Sequence, residues 1–387
     1  MTAPQTSPLP PAPLSSDPGS VFDEKAFTFL ESLEPHRQEL QAQADWIDDA
    51  VGEVANSAAS AAQSAASAAQ SAAAADDAAQ AAEAAVPAVL DGLRRSVEAA
   101  SGGKMTVFYT ANGQPSYFVR VPKFLCEDIA PGGELGTGVH EAFIFDGQED
   151  AEIWIGAYQA SIVNGEAVSQ PGVAPKTYID YTQARAACQA TGVGFDMMTI
   201  WDWAAISLWC MANGFEPRGN TDNGRHHVNR WEVGTVDGGS GRILTGTGPA
   251  QWRHDQTMSG ISDLVGNVWE WLSGMKMVDG RVYLSSDNGI PDESAYVDTG
   301  FDMPSDREFT AIDSTGAADS VKRALVVPRG VDDPSGRVYT DLSGERMPYR
   351  GGYRALGPSC GLGALNLLRN GASSTGDLGF RLRYRVT

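Results

Sequence analysis

The period of hydrophobic and polar positions changes along this 387-residue chain, and the changes divide it. From Val21 to about Asn56, Phe22, Phe27, Phe29, Leu30, Leu33, Leu40, Trp46, Ile47 and Val51 fall mostly three and four residues apart, the spacing of one helix face. Pro35 lacks the N–H that a helix interior needs and predicts a break into two helical segments. Phe-rich packing here could join several chains, or the two segments could fold on each other as a hairpin.

The next stretch repeats. Ser57 to Gln63 (SAASAAQ) recurs unchanged as Ser64 to Gln70, and SAAAADD and AAQAAEA continue the run, so that four heptads lead up to Pro87. A period of seven keeps one seam facing a partner helix, and Ala has the highest helix propensity, which predicts a coiled coil of closely approaching helices. At about 1.5 Å per residue, four heptads reach roughly 40 Å. A buried methyl contributes well under ~1 kcal/mol, so the seam needs folded units at both ends to hold its register. A flexible Ala/Ser linker with no partner shows the same composition.

Beyond VLDGLRRSV (Val89 to Val97), Ser101, Gly102 and Gly103 mark a hinge, and the texture changes to short apolar runs separated by turn residues. VFYTANGQPSYFVRVP, AEIWIGAYQAS and GGSGRILTGTG read as short strands and turns. Two helices stand out among them, Tyr181 to Thr191 and Ile200 to Ala212. The C-terminal unit is therefore expected to be α+β. Residues 1–20, rich in Pro and Ser, cannot form a core and are expected to be an extended arm or an adaptor-binding tail.

Composition narrows the function classes. A hydrophobic content of 42% with nine Trp supports at least one sizeable core. No run of about eighteen apolar residues and no apolar leader is present, so no membrane insertion is expected. A net charge of -21 argues against sequence-independent nucleic-acid binding. From Glu345 onward, however, seven Arg stand against two acids, a net of +5, and several of these Arg are expected to serve internal ion pairs. Cys126, Cys188, Cys210 and Cys360 lie far apart, form no C-x-x-C pair and are expected to be reduced, buried thiols.

The densest local pattern is GISDLVGNVWEW, Gly260 to Trp271. Gly266 and Asn267 suit a turn with unusual backbone angles, and the alternation after them places Trp269 and Trp271 on one face of a core strand and Glu270 on the other. This segment resembles the G-x-x-D-x-x-G-N-V-W-E-W signature of the formylglycine-generating-enzyme-like branch of the C-type lectin fold. IWIGAYQAS resembles that family's opening strand, YIDYTQARAACQATG its first helix, and GFDMMTIWDWAAISLW its second. RGGY at Arg350 and GFRLRYR at Gly379 resemble its closing strands. The resemblance covers about residues 105–387.

That branch includes oxidases, sulfoxide synthases and variable receptor-binding proteins, so the sites must decide. The oxidase resemblance implies two nearby copper-holding cysteines in the C-terminal segment, where only Cys360 stands. The iron branch implies a set of three His, and His36, His140, His226, His227 and His254 include no H-x-x-x-H pair. His226 and His227 read as a surface pair in a polar loop. The acidic runs Asp146 to Glu152 and Ser285 to Ser294 could take Ca2+ but match no specific loop pattern. No cofactor, metal or catalytic residue is expected.

The order of Pro-rich arm, Phe-bearing helices, Ala/Ser/Gln heptads and globular unit resembles that of phage tail fibres. The expected architecture is α+β, with N-terminal helices and a trimeric Ala-rich coiled-coil stalk followed by a C-type-lectin-like domain. Its parts are the arm 1–20, a tail-anchoring region 21–56, the stalk 57–100 and a receptor-binding domain 101–387. The resemblance implies a homotrimer in the virion tail, made in the host cytoplasm. It would be held by a phage tail or baseplate protein at its N-terminus and would bind a host-cell surface receptor, protein or glycan. An oxidase of the same fold or a fibre-borne glycan hydrolase is the alternative, and a bacterial surface or effector protein is a third reading. Receptor contact is expected on the loop-rich segment Tyr353 to Asp377. Cys360, Leu362 and Leu365 should face inward, with Tyr353, Arg354, Asn366, Arg369, Asn370 and Ser373 outward. Packing of these residues against a neighbouring protomer is the competing reading.

Overall fold

In a computed structural model, residues 2–289 and 292–386 are described, with the side chains of 81–88 excepted. The chain divides into two compact units, Met1–Pro87 and Ala88–Thr387.

The first unit is an arm and most of one helix. α1 runs from Gly19 to Ala100 without the break expected at Pro35. The missing N–H of Pro35 deprives only the carbonyl four residues back, on Glu31, and both residues are exposed, so the lost partner falls on the solvent side of the helix rather than in a core. A period of seven governs the surface of α1. Leu33, Leu40, Ile47, Val54, Ala61, Ala68 and Ala75 form one exposed row. Ala44, Val51, Ala58, Ala65, Ala72 and Ala79, four residues further on, form the second. The arm takes a different face. Ser7 donates from its N and Oγ to Glu39 at 2.6 and 3.0 Å, and Gln43 Nε2 donates to the Pro4 carbonyl at 2.9 Å. Phe29, His36, Gln43 and Ala50, with Ser32, Glu39 and Trp46, form the half-buried stripe on that side.

In the second unit, α1 stops at the expected hinge. Gly102 and Gly103 take positive φ of 63° and 80°, and Gly103 N–H donates to the Glu98 carbonyl at 2.8 Å, closing the helix end. The last turns of α1 belong to this unit: Val97 packs on its core and Thr106 Oγ1 donates to Glu98 at 2.6 Å.

The unit is α+β. Its first sheet has the order β1 (Met105–Tyr109), β2 (Pro115–Pro122), β3 (Glu152–Gly156), β11 (Leu382–Tyr384), β4 (Phe195–Met197), so that β11 is held between two strands about two hundred residues earlier. The second has six strands in the order β6 (Arg307–Glu308), β7 (Arg337–Thr340), β9 (Gly361–Leu367), β8 (Tyr349–Gly351), β5 (Trp269–Trp271), β10 (Leu378–Phe380). A third sheet joins Val297–Asp302, Arg281–Leu284, Met275–Val278 and Glu345–Arg346. GGSGRILTGTG, expected to hold a strand, contributes only the isolated bridge Val236–Ile243.

Both expected helices form. α2 spans Tyr181–Ala190 and α3 spans Ile200–Ala212, each opened by a capping box, Asp180 with Gln183 and Thr199 with Asp202. α3 is buried almost all round, and Trp203 Nε1 donates to the Leu362 carbonyl on β9 at 2.9 Å.

The segment from Tyr353 to Asp377, expected to be loop-rich, holds β9, all seven residues of which are buried. Its run G-L-G-A-L-N-L shows no alternation because both faces are covered, one by the core around Leu362 and Leu365 and the other by the core around Trp271 and Phe380. Small residues are needed there: a Cβ at Gly363 would stand 2.9 Å from the Phe309 ring. Cys360, Leu362 and Leu365 face inward, at 5%, 0% and 0% exposure.

Candidate functional site

The two faces of the six-stranded sheet differ in chemistry. On one, Glu270 and Arg381 form an ion pair of 2.7 Å with both side chains buried. Arg381 Nε donates to the other Glu270 oxygen at 2.8 Å, and its terminal nitrogens reach the Gly156 and Ser262 carbonyls at 2.9 Å each. Gln159 Nε2 donates to Glu270 at 3.0 Å and Gln159 Oε1 accepts from Asn267 at 2.8 Å. Gly266 and Asn267 have φ of 75° and 61°, as expected of that turn, and a Cβ at Gly266 would meet the Asn220 carbonyl at 2.1 Å. The GNVWEW and GFR signatures are thus the two halves of one satisfied polar network, whose role is to hold the sheet.

The opposite face carries a cavity of about 440 Å3. Strand register lines up its floor: Tyr339 on β7 pairs with Asn366 on β9, which pairs with Tyr349 on β8. Trp269 on β5 and Leu378 on β10 are also register partners, and extend the floor. Trp269 meets the rings of Tyr349 and Tyr339 edge-to-face, at 5.3 and 6.3 Å. Tyr353, Leu356, Leu368, Arg369, Thr375 and Asp377 complete the lining.

The cavity brings together three of the six residues expected to make contact, Tyr353, Asn366 and Arg369. Asn366 was expected to face outward but is only 7% exposed, because it stands on a covered strand rather than a loop; its Oδ1 accepts the Leu368 N–H at 3.0 Å. Arg354 stands behind the lining, ion-paired with Asp377 and 5.9 Å from the Tyr353 ring centre. Asn370, exposed, and Ser373, half-buried, lie on the loop after β9 and do not line the cavity. Sequence reading missed Trp269, Tyr339, Tyr349 and Leu378, which lie outside the expected segment; Leu356, Leu368, Thr375 and Asp377 lie inside it without having been singled out. The alternation in RVYT could have placed Tyr339 on a strand face, but no sequence signal ties it to Tyr349 and Trp269.

Of the seven arginines from Arg346 onward, Arg346, Arg354, Arg381, Arg383 and Arg385 are ion-paired with acids of the same chain, as the charge distribution suggested. Arg350 is buried and donates to the Leu325 carbonyl. Arg369 is exposed and has no ion-pair partner among the described residues; its guanidinium lies beside Tyr349. Burial holds the Tyr349 phenol well above its ordinary range, with Arg369 opposing the shift, so this hydroxyl is a neutral donor.

Elsewhere the candidate chemistry is committed to structure. Cys360 is buried, its Sγ lies 3.3 Å from the Tyr353 carbonyl, and burial pushes the thiol up to about 12. All four cysteines are free and buried. His226, expected at the surface, is only 8% exposed, and its Nδ1 accepts the N–H groups of Val228 and Asn229 at 3.3 and 2.9 Å. His227 contacts Thr221 Oγ1 at 2.8 Å. Burial lowers both His pKa values, and the proximity of His227 lowers His226 further.

The acids of the run Asp146 to Glu152 face cations: Asp146 and Asp150 pair with Arg385 at 3.6 and 3.0 Å, Glu149 with Lys123 at 2.9 Å and Glu152 with Arg120 at 3.6 Å. The second acidic run includes residues 290 and 291, which lie outside the described residues. No described helix is long and apolar enough to cross a membrane.

No protein-family model matches the chain, and no curated protein matches it. Among solved structures it is similar to PvdO from Pseudomonas aeruginosa, with 14% identity over 73% of this chain and 98% of that one, TM-score 0.37. It is similar to Treponema denticola variable protein 1, with 15% identity over 73% and 99%, TM-score 0.33. A third is the I1 variant of the Major Tropism Determinant, with 12% identity over 64% and 58%, TM-score 0.30. Likenesses of this size leave the fold to be judged from the strand order and cores described above.

Proposed function

We propose that this chain is a receptor-binding fibre protein, with a C-type-lectin-like C-terminal domain that contacts a host-cell surface receptor through the aromatic cavity on its six-stranded sheet. The carrying observation is the contrast within that sheet: one face is locked by a satisfied ion-pair network, while the other holds Tyr353, Asn366 and Arg369 around an open, ring-lined hollow. Aromatic and Arg side chains are those that most often carry interface energy. Three copies assemble through the two exposed seven-residue rows of α1, since Pro35 lies outside both rows and the arm occupies a separate face. The N-terminal arm and first helical turns attach to a tail or baseplate protein, and weak single sites gain by multivalency.

An oxidase of the same fold needs paired thiolates. Cys360 stands alone in its segment, and its buried thiol is held protonated at neutral pH, which supports the binding reading over the catalytic one.

The test is adsorption. Tyr353→Ala with Arg369→Ala should abolish adsorption of the full chain to host cells while the trimer mass by light scattering and the melting temperature stay unchanged. Normal adsorption by the double variant, or its collapse as a trimer, would remove the cavity from this role. A monomer mass for the wild-type chain at micromolar concentration would remove the trimer.

A further inference from the structure

The lining of the cavity is specific enough to name a ligand class, an inference that rests on the receptor-binding reading above. We infer that the cavity takes a pyranose ring bearing a carboxylate, the unit of an acidic cell-surface glycan, and does so without a metal ion.

The first ground is shape and surface. The volume of about 440 Å3 falls within the ~300–1,000 Å3 of small-molecule clefts. Trp269, Tyr339, Tyr349 and Tyr353 offer ring surface to the C–H faces of a sugar. Between the rings stand groups matched to hydroxyls: the Asn366 amide, the Thr375 hydroxyl, the neutral Tyr349 phenol and the Asp377 carboxylate.

The second ground is charge. Two charged residues line the cavity, Asp377 and Arg369. Asp377 is neutralised by Arg354, which stands behind it. Arg369 has no ion-pair partner among the described residues and is exposed on the rim, so the lining carries one uncompensated positive charge in a protein of net charge -21. A planar guanidinium without an anionic partner is matched by a carboxylate, which it can hold with two parallel hydrogen bonds.

The third ground separates a sugar from an acidic peptide. Tyr339, Asn366, Tyr349 and Trp269 stand on β7, β9, β8 and β5, each of which has a neighbouring strand on both sides in the sheet. The edge strand at the cavity is β10, which carries Leu378, and there the Phe380 carbonyl already accepts the Ala160 N–H at 2.9 Å; among the described residues this leaves a peptide little edge to extend, and a compact ring with hydroxyls on its rim fits better than a chain.

The experiment titrates the full-length protein by calorimetry with two disaccharides that differ in one group, cellobiouronic acid and cellobiose, in the presence of EDTA. Cellobiouronic acid should bind at least ~10-fold more tightly than cellobiose. Arg369→Gln should erase the difference without changing the melting temperature, and Tyr353→Ala should weaken both sugars together. Equal binding of the two sugars, binding abolished by EDTA, or equal competition by a glutamate-rich peptide overturns the assignment. If neither sugar binds at millimolar concentration while adsorption to cells still depends on Tyr353 and Arg369, the acidic-sugar assignment falls and the receptor site stands. If adsorption ignores both residues, the receptor site falls as well.

Discussion

The two faces of the six-stranded sheet are built from the same strands and have opposite tasks. Glu270 and Arg381 look to one side, fully enclosed and with their hydrogen bonds made; Trp269, Tyr349 and Tyr339 look to the other, beside an open hollow. Alternation along β5 is enough to separate them, since neighbouring residues of a strand point to opposite faces. A short motif can therefore fix the scaffold on one side and set up a site on the other. The two roles differ in what substitution should cost.

The largest effect is expected on the locked face. Glu270→Ala leaves the Arg381 guanidinium buried without its carboxylate and should destabilise the domain by about 3–5 kcal/mol in urea melts, enough to unfold many domains. A loss below ~1 kcal/mol would mean that the network is dispensable and the contrast false.

The next effect is pH-dependent and belongs to the same side. His254 Nδ1 accepts the Ile261 N–H at 2.9 Å, one residue before the Ser262 carbonyl that Arg381 holds. Burial, opposed by nearby Asp255, lowers its pKa to about 4. The unfolded chain binds this proton near the ordinary ~6.5, so His254 adds stability in full above that pH and loses it as the pH falls toward 4. Between about pH 7 and pH 5 this one group should remove about 2 kcal/mol. His254→Asn, which keeps an acceptor at the same place, should flatten that part of the profile, and an unchanged profile would exclude His254 as its source.

The smallest effect on stability is expected on the open face. Arg369→Ala should change the unfolding free energy by no more than ~0.5 kcal/mol, since Arg369 is exposed and without an ion pair among the described residues. Its effect should appear in binding alone. A marked fall in melting temperature would place Arg369 with the scaffold and remove the distinction between the faces.

A second contrast separates α1 from the globular unit. In α1 the information is local and periodic, so the helix and its seven-residue rows were legible; the exception is Pro35, where a local rule met a helix that is exposed on that side. In the globular unit, α2, α3 and the Trp/Glu alternation were legible because amphipathic spacing and caps act over a few residues. β9 was not: G-L-G-A-L-N-L lies between two cores and shows neither period.

The sequence by itself determined that a repetitive helical region precedes an α+β unit, that Gly266 and Asn267 turn the chain sharply, and that Cys360, Leu362 and Leu365 go inside. These follow from propensity, period and hydrophobicity, which act between near neighbours. Only the tertiary structure decided that Tyr339, Tyr349, Tyr353, Trp269, Asn366 and Arg369 line one hollow, that Arg354 cancels Asp377, and that Arg369 stands without an ion-pair partner among the described residues. Strand order decides such company. A sheet ordered β6-β7-β9-β8-β5-β10 brings residues about a hundred positions apart to one face, through hydrogen bonds between backbone groups that are alike at every position and leave no mark in the sequence.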